Sequence, residues 1–290
     1  MSDLGKNPLR TIKLSWVYPA LFGGLLLLSG CSWMAQIAQN VHLRGYDTDV
    51  RNSTQAIETA LNDAERAKGY TERGSAYSEK ARYSRAFKLI PADDYERLFA
   101  LAMKDHDQAI ALTPGSAEAY FGRGQAYYSR AALDLTEHGD FRPWFDRAAA
   151  DFETAAKNDP RDSMAFDMLG LTYEQNDEWD KAIDAYTREV ALNPKLGTDR
   201  LAEAYCGRGR QDQTHMNLSA AAADYEKSIA VGGTSNDDGC SCEPYNSMLV
   251  IYTDTKQYDK AWILVHQEQK SNRLAAELVD QLKKASGRSN

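Results

Sequence analysis

The sequence predicts an all-α protein, a solenoid of about five helix-turn-helix repeats with capping helices, and three observations predict it. One phrase recurs: Tyr70, Gly74 and Tyr77; Tyr120, Gly124 and Tyr127; Phe166, Gly170 and Tyr173; Tyr205 and Gly209; and a weaker Tyr245, Leu249 and Tyr252. An aromatic, a Gly four residues on and an aromatic three beyond lie on one face of a helix. A second helix follows, marked by a small residue and then an aromatic, as in Ala148/Phe152, Ala182/Tyr186 and Ala221/Tyr225. Abundant Ala, Leu, Glu, Lys and Arg with few β-branched runs complete the helical signature. Repetition of this kind marks units that bury their apolar faces only by stacking.

The elements follow in order. Ser32 to Gln39 suit a short helix and Arg44 to Val50 a loop; Ser53 or Thr54 then caps an entry helix with the stripe Ile57, Ala60, Leu61, Ala64 and Ala67. The first unit opens near Ala67 and closes at Pro114, and the second opens near Ala117 and closes at Pro160. Both hold extra residues, Ser78 to Leu101 and 129–147, which either lengthen a helix pair or protrude as contact loops. The Pro after each second helix cannot continue it and sets the turn into the next unit. Leu274, Leu278 and Leu282 suit a terminal cap. A Gly inside a helix costs about 1 kcal/mol relative to Ala. Gly124 and Gly170 therefore imply close approach of the paired helix, with Ala148 and Ala182 opposite.

At these residues the chain resembles the tetratricopeptide repeat family, over roughly Ala67 to Gln269. The unit from Ser163 to Leu196 carries Phe166, Leu169, Gly170, Tyr173, Trp179, Ala182, Tyr186 and Pro194 in the family's order, at its repeat length of roughly 34 residues. The last unit departs from it, with Leu249 where the family prefers Gly. The resemblance implies a right-handed solenoid that binds a protein or peptide in its concave groove. By repeat position the groove is lined by Thr71, Ser75, Phe121, Gln125, Tyr128, Asp167, Leu171, Glu174, Cys206, Arg210, Asn246 and Val250. Phe121, Tyr128 and Leu171 are the expected anchors; packing between repeats is the alternative for Phe121 and Leu171. Some family members clamp a terminal carboxylate with Lys and Asn. The matching positions here are Thr71, Ser75, Phe121 and Gln125, which do not support that clamp.

The N-terminus reads as an address. Lys6, Arg10 and Lys13 precede an apolar stretch from Leu14 to Leu28, interrupted by Pro19, Gly23 and Gly24. It is shorter than the ~20 residues of a membrane span and suits a secretory h-region. Its end, Leu28-Ser29-Gly30-Cys31, is similar to the lipobox of bacterial lipoproteins. That resemblance implies a signal peptide over 1–30, a lipidated Cys31 with a tether to residue 52, and repeats over 53–290. Several acyl chains anchor stably. Ser32 after Cys31 implies outer-membrane sorting facing the periplasm, with the inner membrane as the alternative.

A periplasmic address favours oxidised cysteines, and neighbouring first helices of a solenoid pack side by side. Cys206 is therefore expected to bridge to Cys240 or Cys242. His42, His106, His138, His215 and His266 are scattered without ligand spacing, so no metal and no cofactor is expected. No phosphate loop or nucleophile elbow occurs, and no catalytic constellation. The net charge of −8 disfavours nucleic acid, and residues 1–30 hold three of the cations, so the body is more acidic still. The expected protein is a lipid-anchored scaffold or adaptor in envelope, secretion-system or pilus assembly, and not an enzyme. The rivals are a self-assembling scaffold and an envelope enzyme with a substrate cleft.

Overall fold

The computed structural model describes residues 32–87, 89, 91–136, 139–232, 243–268 and 274–288. The helices are α1 Ser32–Thr59, α2 Asp63–Ala86, α3 Ala92–Leu112, α4 Ala117–Thr136, α5 Arg142–Asn158 and α6 Ser163–Gln175. They continue as α7 Trp179–Leu192, α8 Pro194–Thr214, α9 Leu218–Val231, α10 Pro244–Asp254, α11 Tyr258–Glu268 and α12 Ala276–Ser286. Among the described residues there is no strand. The chain divides into two units, Met1–Pro114 and Gly115–Asn290.

In the first unit α2 packs on both α1 and α3. The stretch 44–50, expected as a loop, is helical and lies inside the 28-residue α1. Contacts with α2 hold it: Lys80 pairs with Asp47 at 2.5 Å, and His42 and Tyr46 lie against Tyr83, with ring centroids 5.3 and 6.0 Å apart. Ser53 and Thr54 do not cap a helix either. Their hydroxyls donate to the carbonyls of Asp49 and Val50 within α1. The cap belongs to Asn62, whose side chain accepts from Glu65 N, and Leu61 beside it is 90% exposed rather than part of an apolar stripe.

In the second unit each helix from α4 to α11 packs on the next, and α12 returns onto α10 and α11 through a fully buried Leu282. The recurring Gly is explained by what lies across it. A Cβ on Gly124 would sit 2.8 Å from the ring of Phe152, and one on Gly170 would sit 2.4 Å from that of Tyr186. Both rings are fully buried. The last hairpin reverses the sizes: a fully buried Leu249 stands at the Gly position, and Val265, four residues after Ala261, stands where the other hairpins place an aromatic.

The residue before the Gly carries a second device. Arg123 grips Asp151 with Nε and Nη2 at 2.8 Å each, and Arg208 grips Asp224 at 2.7 and 2.8 Å. In the first unit Arg73 holds Asp105 in the same way. Each Asp is at least nine-tenths buried, and a bidentate grip is the geometry that makes such a pair tolerable. In the hairpin of α6 and α7 the same two positions are Leu169 and Ala185, both buried, so hydrocarbon replaces the ion pair.

The tight turns α6–α7, α8–α9 and α10–α11 each place a non-Gly residue in the left-handed region: Asp177 (φ 60°), Met216 (φ 63°) and Lys256 (φ 58°). In each, the following N–H bonds back to a carbonyl in the preceding helix, as Glu178 N does to Tyr173 O at 2.9 Å. Of the extra residues at 129–147, 129–136 continue α4 and 142–147 open α5. In α4–α5, Phe145 is core, Trp144 stacks on Tyr127 at 6.0 Å, and the Arg147 guanidinium lies 4.9 Å from the Trp144 ring.

Candidate functional site: a polar wall shared by α4, α6 and α8

Three residues expected in the groove are brought together in the second unit, Tyr128 from α4 and Asp167 and Glu174 from α6. Tyr128 stands four residues after Gly124 and Glu174 four after Gly170, so they occupy equivalent positions on adjacent first helices. Tyr128 packs edge-on to Phe145 with centroids 5.3 Å apart. Glu174 Oε2 accepts from the Tyr186 hydroxyl of α7 at 3.0 Å. Gln213 repeats that arrangement one hairpin on, accepting from Tyr225 at 2.9 Å.

The cluster is completed by groups with no place in the sequence reading. Helix α8 begins at Pro194, immediately after α7, with Pro at its first turn where the missing N–H is not needed. It thus runs 21 residues where α6 runs 13. Its added N-terminal turns carry Arg200, whose Nε lies 3.5 Å from Asp167 Oδ1. That contact is long, and Asp167 Oδ1 accepts no hydrogen bond among the described residues. Glu189 of α7 is fully buried, and neither of its carboxylate oxygens has a hydrogen-bond partner among the described residues.

Electrostatics follow from this crowding. Burial pushes the Glu189 carboxyl up to about 7, with Asp167 adding to the shift and Arg200 opposing it. Burial likewise raises Asp167 against the pull of Arg200, and raises Glu174 against its bond from Tyr186. The Tyr128 hydroxyl is raised by burial and then by the Glu174 charge. Glu203 and Arg210 act on Glu174 from α8 with opposite signs. Four carboxylates therefore share two guanidiniums, and the wall is acidic.

The remaining expected residues are dispersed. Thr71 and Ser75 belong to the first unit; Thr71 is buried, its hydroxyl donating to Ala67 O at 3.1 Å, so it is not a groove-lining group. Phe121 packs on Phe152, centroids 5.5 Å apart, as a half-buried core neighbour. Leu171 and Val250 are half-buried, and Gln125 and Arg210 are exposed. Asn246 is engaged locally: it donates to Glu243 at 2.7 Å and accepts from Ala275 N at 2.9 Å, tying α10 to the start of α12. Cys206 is fully buried rather than facing a groove, and it is disulfide-bonded. Cys240 and Cys242, like Cys31 and residues 1–30, lie outside the described residues. Among the described residues no His, Cys, Asp or Glu group could hold a metal ion, and no helix is long and apolar enough to cross a membrane.

A model of the tetratricopeptide repeat matches residues 145–196, the segment that supplies Asp167, Glu174, Tyr186 and Glu189. No curated protein sequence matches the chain. Among solved structures the chain is similar to YrrB, "a TPR protein with an unusual peptide-binding site", at 18% identity over 82% of this chain and 93% of that one, TM-score 0.42. It is also similar to MamA, at 19% identity over 69% and 99%, TM-score 0.38. BtubC from P. vanneervenii aligns at 13% identity over 87% and 94%, TM-score 0.40. The fold is all-α, built of helix-turn-helix hairpins, and residues 145–196 carry the tetratricopeptide repeat, which generally serves as a scaffold for protein–protein contacts.

Proposed function

We propose that this chain is a lipid-anchored periplasmic scaffold that recruits a protein partner, through a peptide segment laid along the α4–α6–α8 wall, for envelope, secretion-system or pilus assembly. The observation that carries the reading is the wall itself. It sets Leu171 and Tyr128 beside Asp167 and Glu174, apolar surface next to two carboxylates, of which Asp167 keeps an oxygen without a hydrogen bond among the described residues. An extended segment or a helix placed there gains both apolar burial and polar pairing. The anchor rests on the Leu28–Cys31 motif after an apolar stretch of h-region length, and the partner-binding role on the repeat matched at 145–196. Charge of the same sign as anionic lipid keeps the body off the membrane surface, leaving the wall open to partners.

Co-purification of the detergent-solubilised full chain tests this. A Leu171→Glu variant loses the partner recovered with the wild type while its helical circular dichroism is unchanged; equal recovery refutes the wall as the docking surface. For the anchor, a metabolic lipid probe labels the wild type and not Cys31→Ala. Label retained on Cys31→Ala refutes lipidation at that residue.

A further inference from the structure

We propose that Asp167, Glu174 and Glu189 form a receptor for one cationic side chain, a lysine or an arginine, of the segment bound along the wall. The inference deepens the function proposed above and rests on it. Its centre is Glu189, fully buried and with neither oxygen hydrogen-bonded among the described residues. Packing does not demand a carboxylate there. The position is three residues after the ring that faces the Gly, and the hairpins on either side fill it with Ala155, after Phe152, and Ser228, after Tyr225. Ser228 donates to Ala202 O at 2.8 Å and so has its partner. The two neighbouring hairpins thus use a neutral small residue there, while the last hairpin places Glu268, which is not buried; a desolvated carboxylate is costly unless a cation compensates it.

The cation present does not suffice. Arg200 sits at one long contact to Asp167, its side chain a third exposed, while Glu174 and Glu203 draw on the same charge. Arg200 is therefore held loosely, and Glu174, which feels its charge, is half-buried like Leu171 on the same helix. An ammonium or guanidinium placed beside Asp167 and the half-buried Glu174 of the same helix supplies a donor to Asp167 Oδ1 and a compensating charge to Glu189, the two carboxylates with oxygens left without hydrogen bonds among the described residues. The charged groups acting on Glu189 are Asp167 from α6 and Arg200 from α8. Neither is a fixed donor to it. In the unbound protein a proton does the cation's work, which agrees with the carboxyl being held near neutrality. Proton and cation compete for one site, so binding strengthens as pH rises from 6 to 8.

The experiment is selection of a random peptide library displayed on phage against the full chain in detergent, with Leu171→Glu as the parallel target. The expected result is peptides with Lys or Arg at one fixed position, enriched on the wild type and not on Leu171→Glu. Replacing that Lys by norleucine, or Arg by citrulline, in a labelled synthetic peptide weakens binding by at least about tenfold, as loss of a buried charge pair does. The same replacement has a much smaller effect on the Asp167→Asn, Glu189→Gln double variant. Enriched peptides that depend on Leu171 but carry no fixed basic residue overturn the cation receptor and leave the docking wall standing. No enrichment beyond Leu171→Glu overturns the wall, and the receptor with it.

Discussion

A Gly facing a buried ring is the packing unit of this fold, and exchanging size across the Gly124–Phe152 contact tests it. Gly124→Ala places a methyl 2.8 to 3.2 Å from three atoms of the Phe152 ring, inside contact distance. The ring is fully buried against Phe121 and cannot retreat, so overpacking of about 1–3 kcal/mol outweighs the ~1 kcal/mol that Ala gains over Gly in a helix. Phe152→Leu alone leaves a gap costing about 1–3 kcal/mol, less than truncation to Ala because most of the side chain remains. In the double variant the added methyl occupies the space the ring gives up, as Leu249 does opposite Val265. Its loss should fall below the sum of the single losses by about 1 kcal/mol or more. Urea denaturation followed by circular dichroism measures all four proteins. Additive losses would refute the argument that Gly124 is there to admit the ring.

Three further outcomes are expected. Glu189→Gln becomes more stable relative to the wild type as pH rises: the native carboxyl titrates at about 7 against 4.5, so its protonated form supports the fold below about 4.5 and that support is lost as pH rises through 7. The shift corresponds to about 3 kcal/mol between pH 4.5 and 8.5, and a pH-independent difference in denaturation midpoints counts against it. Asp224→Ala removes the bidentate partner of Arg208, leaving it Asp180 alone, and costs about 1–3 kcal/mol, whereas Arg208→Leu with Asp224→Ala recovers most of it by copying Leu169 and Ala185. Thermal unfolding that shows no recovery contradicts the equivalence of the two pairs. Met216→Gly removes a left-handed non-Gly residue at an exposed turn and raises stability by about 1 kcal/mol; a lower midpoint rules out strain there.

The hairpins were legible because Gly, Ala and aromatics recur at spacings fixed by helix geometry, as at Gly170, Ala182 and Tyr186. The Arg–Asp grips were not. Their partners lie 32, 28 and 16 residues apart as inter-helix lengths vary, so no spacing announces them. Helix α1 was misread near Gly45 because local propensity there is weak, and its helicity comes from Tyr83 and Lys80 across the hairpin. Tyr128, Asp167 and Glu174 followed from repeat position. Arg200 did not, because α8 starts two turns early at Pro194, and Glu189 reads as one more carboxylate on a helix until its burial is seen. The signal available was comparison along the repeats, where Glu189 stands against Ala155 and Ser228.

The most direct test of the account is photocrosslinking in cells from position 171 of the full chain, with Lys157 on the exposed side of α5 as the control position. The account predicts one dominant protein captured from 171 at near-equal stoichiometry, absent from 157 and lost when Tyr128 is changed to Ala. Capture only of further copies of this chain, or equal labelling from both positions, would contradict recruitment along the α4–α6–α8 wall.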